Sequence, residues 1–394
     1  MSFDSSTFTV PTSFENHLPR RIRFGRGLSG ELTAELKRME KSRPFIVTDR
    51  GVKAAGLLAR VTGPLAAAGI TFAVYDETEP EPHFACVTAA NAVARAAGGD
   101  WDVVVALGGG SVMDTAKLVA ATLRDGRDAV ALAGIGKVGR RSLPLVCVPT
   151  TAGTGSEATP VAIFTDATSG GKVGVVDPCL VPDTVLLDPA LTDGLPPLPT
   201  AAAGMDALVH ALEAYIAKCA TPLARGLALE AAGRIGPALP AVCANGGDQA
   251  ARDAMLIGAN LAGLAFANSS CCGVHALALP LGGQFHIAHG VVTGGLVAET
   301  MRHNLPSCTA DLQTFAAALG WSDTTPAHLP DQLAALATQI GLLKALRSVT
   351  VPDSALAGLA RSAVANRRLM DPNPRPITED DAVEIYRRTL YAHG

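Results

Sequence analysis

The chain has 394 residues, of which 48% are apolar and 17% are charged, so it is long and apolar enough to form two domains with substantial cores. Its formal net charge is −4, and its lysines and arginines are scattered rather than clustered. Because nucleic-acid binding depends on concentrated positive charge, a nucleic-acid partner is not expected.

Neither a membrane span nor a secretory leader is expected. Charged residues, Pro or Gly interrupt every apolar stretch well before the ~18 to 20 residues that a bilayer helix needs. The start of the chain carries Asp4 and has no basic beginning or apolar run of the kind found in signal peptides. The eight cysteines lie among apolar neighbours with no C-x-x-C pair, as reduced core thiols do. We therefore expect a cytoplasmic protein.

Short β-rich runs alternate with Ala-rich helical patterns in the first half of the chain. Strands are predicted at residues 45–48, 70–75, 101–107, 145–148 and 184–187, with helices between several of them, including residues 111–123. Strands that alternate with helices form mostly parallel sheets with crossover connections. The pattern therefore predicts an α/β layer.

Three closely spaced prolines in GLPPLPT, near residue 195, mark a change to helical patterns. Helices are predicted at residues 201–218, 222–235, 249–267, 329–340 and 379–389. We therefore expect an α/β domain over residues 1–195 and an all-α domain over residues 196–394.

The segment WDVVVALGGGSVMDTAK combines a predicted strand, a glycine triplet and a helix. Gly109 and Gly110 would let the backbone approach a phosphate, and the amides at the start of the helix, near Ser111, would point at the anion. The triplet does not match G-x-G-x-x-G, and an ordinary tight turn is the alternative. Asp114 could cap backbone amides or reach a ligand, and capping is the simpler interpretation.

Two other segments favour a dinucleotide site. Asp49 follows the first predicted strand, where a carboxylate can accept a hydrogen bond from a ribose hydroxyl and would repel a 2′-phosphate, which favours NAD over NADP. In the usual dinucleotide fold the acid lies ~20 residues after the glycines, whereas here it precedes them. In PTTAGTGSEAT, Thr150, Thr151 and Thr154 could donate to phosphate or carboxamide oxygens, with an ordinary Ser/Thr turn as the alternative.

A carboxylate and an imidazole share one face of the helix predicted over GMDALVHALEAY. Asp206 and His210 stand four residues apart, which places them one turn from each other. This is a spacing of metal ligands, although a solvated Asp–His pair has the same spacing.

Three more histidines, His275, His286 and His289, cluster in GVHALALPLGGQFHIAHG. Pro280 and the glycines after it are expected to break the chain, so that His275 and His289 belong to separate elements that can converge. Isolated histidines in apolar surroundings are the alternative. One carboxylate with three imidazoles suits Fe(II), Zn(II), Co(II) or Ni(II), and these ligand types do not select among the ions.

These motifs resemble those of the iron-containing (group III) alcohol dehydrogenase family, whose fold is dehydroquinate synthase-like. The resemblance covers nearly the whole chain and is carried by FGRGL, GGGSVMDTAK, PTTAGTGSEATPVAIFTD, GMDALVHALEAY, the block from GVHALALPLGG to HIAHG, MRHN and NPRPITEDD. It implies an N-terminal dinucleotide-binding α/β domain, a C-terminal all-helical domain, and a cleft that holds NAD(P) and a divalent metal, Fe(II) in first place and Zn(II) in second.

The resemblance also implies site residues and a homodimer or larger homo-oligomer. The implied metal ligands are Asp206, His210, His275 and His289. The implied cofactor residues are Gly109, Gly110, Ser111 and Asp114 at the diphosphate, Thr150, Thr151 and Thr154 near the cofactor, Lys172 on the nicotinamide ribose side, and Asp49 on the adenine ribose.

One position departs from the family pattern. Where the family commonly has a second histidine in HxxxHPLG, this chain has Leu279. That histidine is thought to relay protons or position the cofactor, so the usual relay is in doubt here. His286 is the candidate substitute, and a hydrogen bond at a cleft wall is its alternative role. Asp206 and His286 are thus the predicted catalytic residues.

The implied reaction is reversible, metal-dependent hydride transfer between a primary or secondary alcohol and NAD⁺. A maleylacetate reductase-type enzyme is one alternative, but that type is often described as metal-independent, and this chain keeps all four ligand positions. A polyol-phosphate dehydrogenase or a dehydroquinate synthase-like lyase would need more Lys or Arg for a phosphate. A non-catalytic nucleotide- or metal-binding protein of the same fold is the remaining alternative.

Overall fold

A computed structural model of the chain describes residues 13–166 and 171–391. The amino-terminal residues on which the expectation of no leader depends lie outside this part. In chain order the strands are β1 (Arg21–Phe24), β2 (Pro44–Val47), β3 (Ala73–Tyr75), β4 (Val103–Gly108), β5 (Gly134–Ile135), β6 (Leu145–Pro149), β7 (Val161–Thr165), β8 (Lys172–Val176) and β9 (Thr184–Leu187).

Six parallel strands form the central sheet of the first half, in the order β1–β9–β6–β4–β2–β3. Strands β2, β4, β6 and β9 are buried along their whole length, which explains their continuous apolar runs: both faces of a parallel sheet are covered by helices. The predicted α/β class is confirmed. The strand predicted at residues 70–75 is shorter than expected and begins at Ala73.

A second sheet was not predicted. It has the order β5–β8–β7, with β7 antiparallel to β8. Strand β7 has an apolar run, VAIF, but β5 has only two residues and Gly174 interrupts β8, so the partners of β7 give no strand signal in the sequence.

The helices divide into a smaller set around the sheet and a larger set in the second half. Around the sheet lie α1 (Leu32–Arg38), α2 (Arg50–Ala54), α3 (Leu57–Ala67), α4 (Phe84–Ala96) and α5 (Gly110–Thr122). The second half contains α6 (Pro197–Ile216), α7 (Pro222–Ala244), α8 (Gln249–Ala267), α9 (Gly273–Phe285), α10 (His289–Ala318), α11 (Leu329–Gln339), α12 (Leu342–Arg347), α13 (Leu356–Ala365), α14 (Arg367–Met370) and α15 (Glu379–Tyr391).

The last strand of the sheet ends at Leu187 and α6 begins at Pro197, so the predicted division after residue 195 falls in the connection between them. Helix α6 is the centre of the helical half, because nearly every residue from Thr200 to Ile216 is buried. No helix within the described residues is long and apolar enough to cross a membrane.

The expected chain break at Pro280 is wrong. Helix α9 continues through Pro280 and ends at Phe285, and the chain turns at His286, whose φ of 52° lies in the left-handed region. Val274, Leu277 and Leu281, which share one face of α9, are buried in the helical core, so packing outweighs the loss of one backbone hydrogen bond at the proline.

The two halves meet where the loop after β6 approaches α8. A Cβ atom on Gly155 would lie 2.6 Å from the Cα atom of Gly263, and the φ of Gly155 is +60°. Glycine at both positions therefore permits a backbone contact that no side chain would allow. Beside it, Asn260 donates to the buried Glu157 across 3.0 Å.

Candidate active site

The carboxyl ends of β2, β4 and β6 lie side by side in the sheet. The chain passes from β2 to β3 on one side and places β4 on the other, so the sheet changes winding direction between β2 and β4. In open α/β sheets, ligands bind at this kind of switch point, outside the carboxyl ends of the strands. Asp49 follows β2, Gly109 and Gly110 follow β4, and the threonine loop follows β6.

The glycine turn leaves the first amides of α5 without a side-chain cap. Gly109 is the N-cap residue, and no side chain accepts from the helix start. A Cβ atom on Gly110 would lie 3.0 Å from a side-chain carbon of Thr154, so the threonine loop packs directly over the turn. Thr151 also contacts the turn, and its buried Oγ1 has no hydrogen-bond partner among the described residues. Free helix amides and an unpartnered hydroxyl at one edge fit an anionic dinucleotide.

Asp49 and Asp114 are both engaged by the protein. Asp49 caps α2 by accepting from the amide of Val52 across 2.8 Å. Asp114 lies within the second turn of α5 and caps no helix, so the capping interpretation is wrong. Its carboxylate accepts from Oγ of Ser156 (2.6 Å) and from the amide of Ile163 (2.9 Å), which ties α5 to the threonine loop and to β7.

The remaining predicted cofactor residues lie around the same edge. The amide of Thr150 donates to the carbonyl of Gly108 across 3.0 Å, where the loop leaves the sheet. Lys172, at the start of β8, is paired with Glu81 across 2.9 Å. The amide of Glu81 in turn donates to Oγ of Ser111 across 3.2 Å. Glu81 therefore connects the start of α5 to Lys172.

The threonine loop also contacts the helix that carries the predicted metal ligands. A Cβ atom on Gly153 would lie 2.7 Å from the Cβ atom of Ala203 in α6. The backbone of Gly153 also lies close enough to the imidazole of His210 to raise its pKa, against the larger effect of burial. The cofactor edge and the metal-ligand candidates are therefore neighbours.

The four predicted metal ligands surround the carboxylate of Asp206. Oδ1 of Asp206 lies 3.7 Å from Nε2 of His275 and 3.6 Å from Nε2 of His289, and Oδ2 lies 3.8 Å from Nδ1 of His210. Asp206 and His210 come from α6, His275 from α9 and His289 from the first residue of α10. His275 and His289 thus lie on separate elements, as expected.

The donors form two overlapping groups rather than one. Donor atoms of Asp206, His275 and His289 lie within 4.8 Å of one another, and so do those of His210, Cys271 and His275. Nδ1 of His210 and Nε2 of His275 are buried and have no hydrogen-bond partner among the described residues. Because buried polar atoms are normally paired, these unpaired nitrogens beside a carboxylate fit a divalent cation.

Glu213 orients His275. It is fully buried on α6, and its Oε2 lies 2.5 Å from Nδ1 of His275. Its carboxylate also accepts from the amides of Val274 (2.6 Å) and Cys272 (2.9 Å) at the start of α9. A carboxylate on Nδ1 leaves Nε2 free to bind a metal and raises its basicity.

Burial and mutual charge set the protonation states in this cluster. Burial lowers the pKa of His210 to about 3 despite the nearby Asp206, and burial also lowers the pKa of His289. Burial of Asp206 favours its neutral form, but the three histidines outweigh it and lower the pKa of the carboxyl. Burial opposes protonation of His275, yet Cys271 and Glu213 hold its pKa well above the ordinary histidine value. Metal binding needs an ionised Asp206 and three neutral imidazoles, so His275 must release its proton when a metal binds.

His286 and Leu279 have different surroundings. The imidazole of His286 is exposed at the carboxyl end of α9 and makes no hydrogen bond or ion pair to any described residue, while its backbone amide donates to the carbonyl of Gly282. Leu279 lies one turn after His275 and is half-buried against the helical core. An aliphatic side chain therefore occupies the position at which the family commonly has its second histidine.

Glu213 and Cys271 were missed by the sequence reasoning. Glu213 stands three residues after His210 in the same helix, a spacing that places it near the same face and could have indicated its role. Cys271 was interpreted only as a buried small residue, and its position four residues before His275 carried no further signal.

The fold and the site define a two-part protein: a parallel α/β sheet with a dinucleotide edge, joined to a helical half with an Asp–His donor cluster. The family model for iron-containing alcohol dehydrogenase matches residues 19–189, and the model for the C-terminal part of the Fe-containing alcohol dehydrogenase family matches residues 200–390.

Individual relatives agree with both matches. Long-chain-alcohol dehydrogenase 1 of Geobacillus thermodenitrificans is 38% identical, over 92% of this chain and 93% of the relative. Lactaldehyde reductase of Escherichia coli is 33% identical, over 92% and 96%. The crystal structure of sulfoacetaldehyde reductase from Bifidobacterium kashiwanohense, a complex with NAD⁺, superposes with a TM-score of 0.89 at 28% identity, covering 97% of this chain and all of that one.

The chain therefore belongs to the iron-containing alcohol dehydrogenase family, and the resemblance inferred from its motifs is confirmed. It is an oxidoreductase that acts on CH–OH groups.

Proposed function

We propose that this chain catalyses reversible hydride transfer between NAD(H) and a small alcohol or its aldehyde or ketone, with a divalent metal held by Asp206, His210, His275 and His289. The observation that carries the proposal is the convergence of Asp206, His275 and His289 from three helices beside the threonine loop. When bound, a divalent ion, Fe(II) in first place and Zn(II) in second, supplies Lewis-acid polarisation of the substrate oxygen.

The cofactor edge would hold NAD through several separate contacts. The uncapped amides of α5, at Gly110 and Ser111, would bind the diphosphate, and the unpartnered Oγ1 of Thr151 would donate to it. The carboxylate of Asp49 would accept from the adenine ribose and disfavour a 2′-phosphate. Lys172, held by Glu81, would lie on the nicotinamide ribose side, since both residues are close enough to His289 to influence its pKa.

Leu279 changes how a proton would leave the site. Its side chain neither donates nor accepts, so the usual second histidine has no equivalent at this position. We propose that His286 and solvent carry the proton instead, because His286 is exposed and follows the same helix. Substitution of His286 by Gln should then reduce turnover while leaving metal content unchanged.

The decisive experiment is substitution of His275 by Ala. Metal content after anaerobic reconstitution with Fe(II) or Zn(II) should fall together with NADH oxidation across a panel of short aldehydes, hydroxyaldehydes and keto acids. His303, which contacts the carbonyl of Pro376, provides a matched control on α10, and His303→Ala should retain metal. Turnover of keto acids without metal would instead favour the maleylacetate reductase type, and binding of NADH without turnover would favour a non-catalytic protein.

We also propose a cytoplasmic homodimer or larger homo-oligomer. Strand β1 pairs only with β9 among the described strands, and Ile22 and Phe24 on it are 37% and 44% exposed, which leaves an apolar edge for a second copy. The buried free thiols of Cys86 and Cys147 suit a reducing compartment. Light scattering after size-exclusion chromatography would test the assembly, and a monomer would contradict it.

A further inference from the structure

Cys271 lies beside the histidine cluster, yet the proposed reaction gives it no role. It stands four residues before His275 and is only 9% exposed. A ring nitrogen of His210, Sγ of Cys271 and a ring nitrogen of His275 lie within 4.8 Å of one another. Because His275 also belongs to the group of Asp206 and His289, the two donor groups share one ligand.

Two unpaired nitrogens accompany the thiol. Nδ1 of His210 and Nε2 of His275 are buried without a hydrogen-bond partner among the described residues, and both side chains are 7% exposed. Since buried polar atoms are normally paired, an unpaired nitrogen on each histidine of this donor group indicates a ligand rather than packing alone.

The spacing suits a metal after small movements. Zinc binds thiolate sulfur at about 2.3 Å and imidazole nitrogen at about 2.0 to 2.1 Å, so a tetrahedral site needs sulfur and nitrogen about 3.5 Å apart. Sulfur and nitrogen atoms that lie within 4.8 Å of each other therefore need to approach by about 1.3 Å at most. Side-chain rotations can supply that movement.

The chemistry of the two groups differs. Asp206, His275 and His289 offer one carboxylate oxygen and two imidazoles, whereas His210, Cys271 and His275 offer a sulfur in place of the oxygen. Thiolates favour zinc over ions that prefer oxygen ligands, and imidazole suits zinc, iron and cobalt alike.

We propose that Cys271 is a metal ligand: together with His210 and His275 it forms a thiolate-containing position that retains zinc or cobalt in preference to iron. The inference rests on the proposed metal site, because both positions use His210 and His275. As the metal–sulfur bond forms, the thiol proton is released to solvent, and neither metal nor sulfur is oxidised or reduced.

Cobalt(II) tests the thiolate directly, since sulfur-to-cobalt charge transfer absorbs in the near ultraviolet. The metal-free full-length chain would be titrated with Co(II) as the wild type, Cys271→Ser, Cys271→Ala and the control Cys272→Ser. Cys272 is buried next to Cys271, but its sulfur lies 3.8 Å from the carbonyl oxygen of Glu213 and outside the donor group. Circular dichroism would establish that each variant is folded.

The charge-transfer absorption should be present in the wild type and in Cys272→Ser and absent from both Cys271 variants. Both Cys271 variants should still bind cobalt through Asp206 and the three histidines around it. Competition with a chromophoric chelator should show that zinc affinity falls at least about tenfold in Cys271→Ser. Loss of a residue that only contacts a metal ligand already weakens metal binding by about that factor, so loss of a ligand should cost no less. Iron affinity should change less.

Two results would overturn the inference, and they can be told apart. If cobalt binds to Cys271→Ser with the wild-type spectrum, the thiol only packs against or hydrogen-bonds to His275, and the proposed dehydrogenase function is unaffected. If the wild-type chain binds no cobalt, zinc or iron, the proposed metal site fails and this inference fails with it.

Discussion

Glu213 offers the sharpest test of how the protein prepares His275. Its carboxylate, which is fully buried, accepts three hydrogen bonds, from Nδ1 of His275 and from the amides of Val274 and Cys272. Glu213→Gln keeps the shape of the side chain but replaces one acceptor oxygen with an NH₂ group. If the amide oxygen stays near His275, the NH₂ group faces the amide of Val274 at the position of a 2.6 Å hydrogen bond.

The expected magnitude follows from these contacts. Leaving one buried amide without an acceptor costs about 1 to 3 kcal/mol of folding free energy. Replacing the carboxylate by a neutral carbonyl should also lower the basicity of Nε2 of His275, and loss of such an outer-shell partner typically weakens metal binding about 10- to 100-fold. That change corresponds to about 1.4 to 2.8 kcal/mol.

Two measurements separate these effects. Urea unfolding of the metal-free chain gives the cost to folding, and zinc competition with a chelator gives the cost to metal binding. Glu230→Gln is the control, because Glu230 forms an exposed ion pair with Arg234 on α7 and touches no metal-ligand candidate. Unchanged zinc affinity in folded Glu213→Gln, at the same level as the control, would refute the reasoning that the carboxylate tunes His275.

Three further predictions concern the cofactor edge, the start of α10 and acid stability. Asp49→Asn preserves the cap on α2 but removes the charge. The preference for NADH over NADPH in steady-state turnover should therefore fall about tenfold, or about 1.4 kcal/mol. An unchanged ratio would exclude the role of Asp49 at the ribose. Gly290→Ala would place a Cβ atom 2.2 Å from the carbonyl oxygen of Ala202, so it should displace the neighbouring His289 and lower metal content. Gly226→Ala is the control: it has open space around it and should stabilise α7 by about 0.5 to 1 kcal/mol. Burial opposes ionisation of Asp177, but hydrogen bonds from three backbone amides outweigh it and hold the pKa of this carboxyl below the ordinary value. The ionised carboxylate therefore stabilises the fold at a pH above the unfolded carboxyl pKa, and this contribution is lost as pH falls through the lower folded pKa. Urea midpoints of Asp177→Asn should therefore depend less on acidic pH than those of the wild type, and parallel profiles would contradict this.

The central sheet was predictable because its strands are buried on both faces. The run VVVAL of β4 and the FIV of β2 are apolar without interruption, and the turn after β4 carries the glycines that a phosphate cradle needs. The second sheet was missed although the VAIF of β7 is an equally apolar run, because β5 has only two residues and Gly174 interrupts β8. An isolated apolar run does not show which strands it pairs with.

Acidic residues show where reasoning from the sequence ended. The position of Asp114 suggested a helix cap, but the acid instead accepts from Ser156 and Ile163, which are 42 and 49 residues away in the chain. Glu213 stands three residues after His210, but that spacing does not reveal its partners, which are contributed by α9. In both cases the hydrogen-bond partner lies on a different element, and its distance from the acidic residue is determined only by how the elements pack.

The same limit applies to the metal-ligand candidates themselves. Spacing along one helix placed Asp206 and His210 on a shared face, but the distances to His275 and His289 depend on how closely α9 and α10 approach α6. The close approach of α10 to α6 depends on a small residue, because a Cβ atom on Gly290 would collide with Ala202. The turn at His286 redirects the chain between α9 and α10. A four-ligand list therefore followed from the family motifs, whereas the division into two donor groups sharing His275 follows only from the packing of three helices.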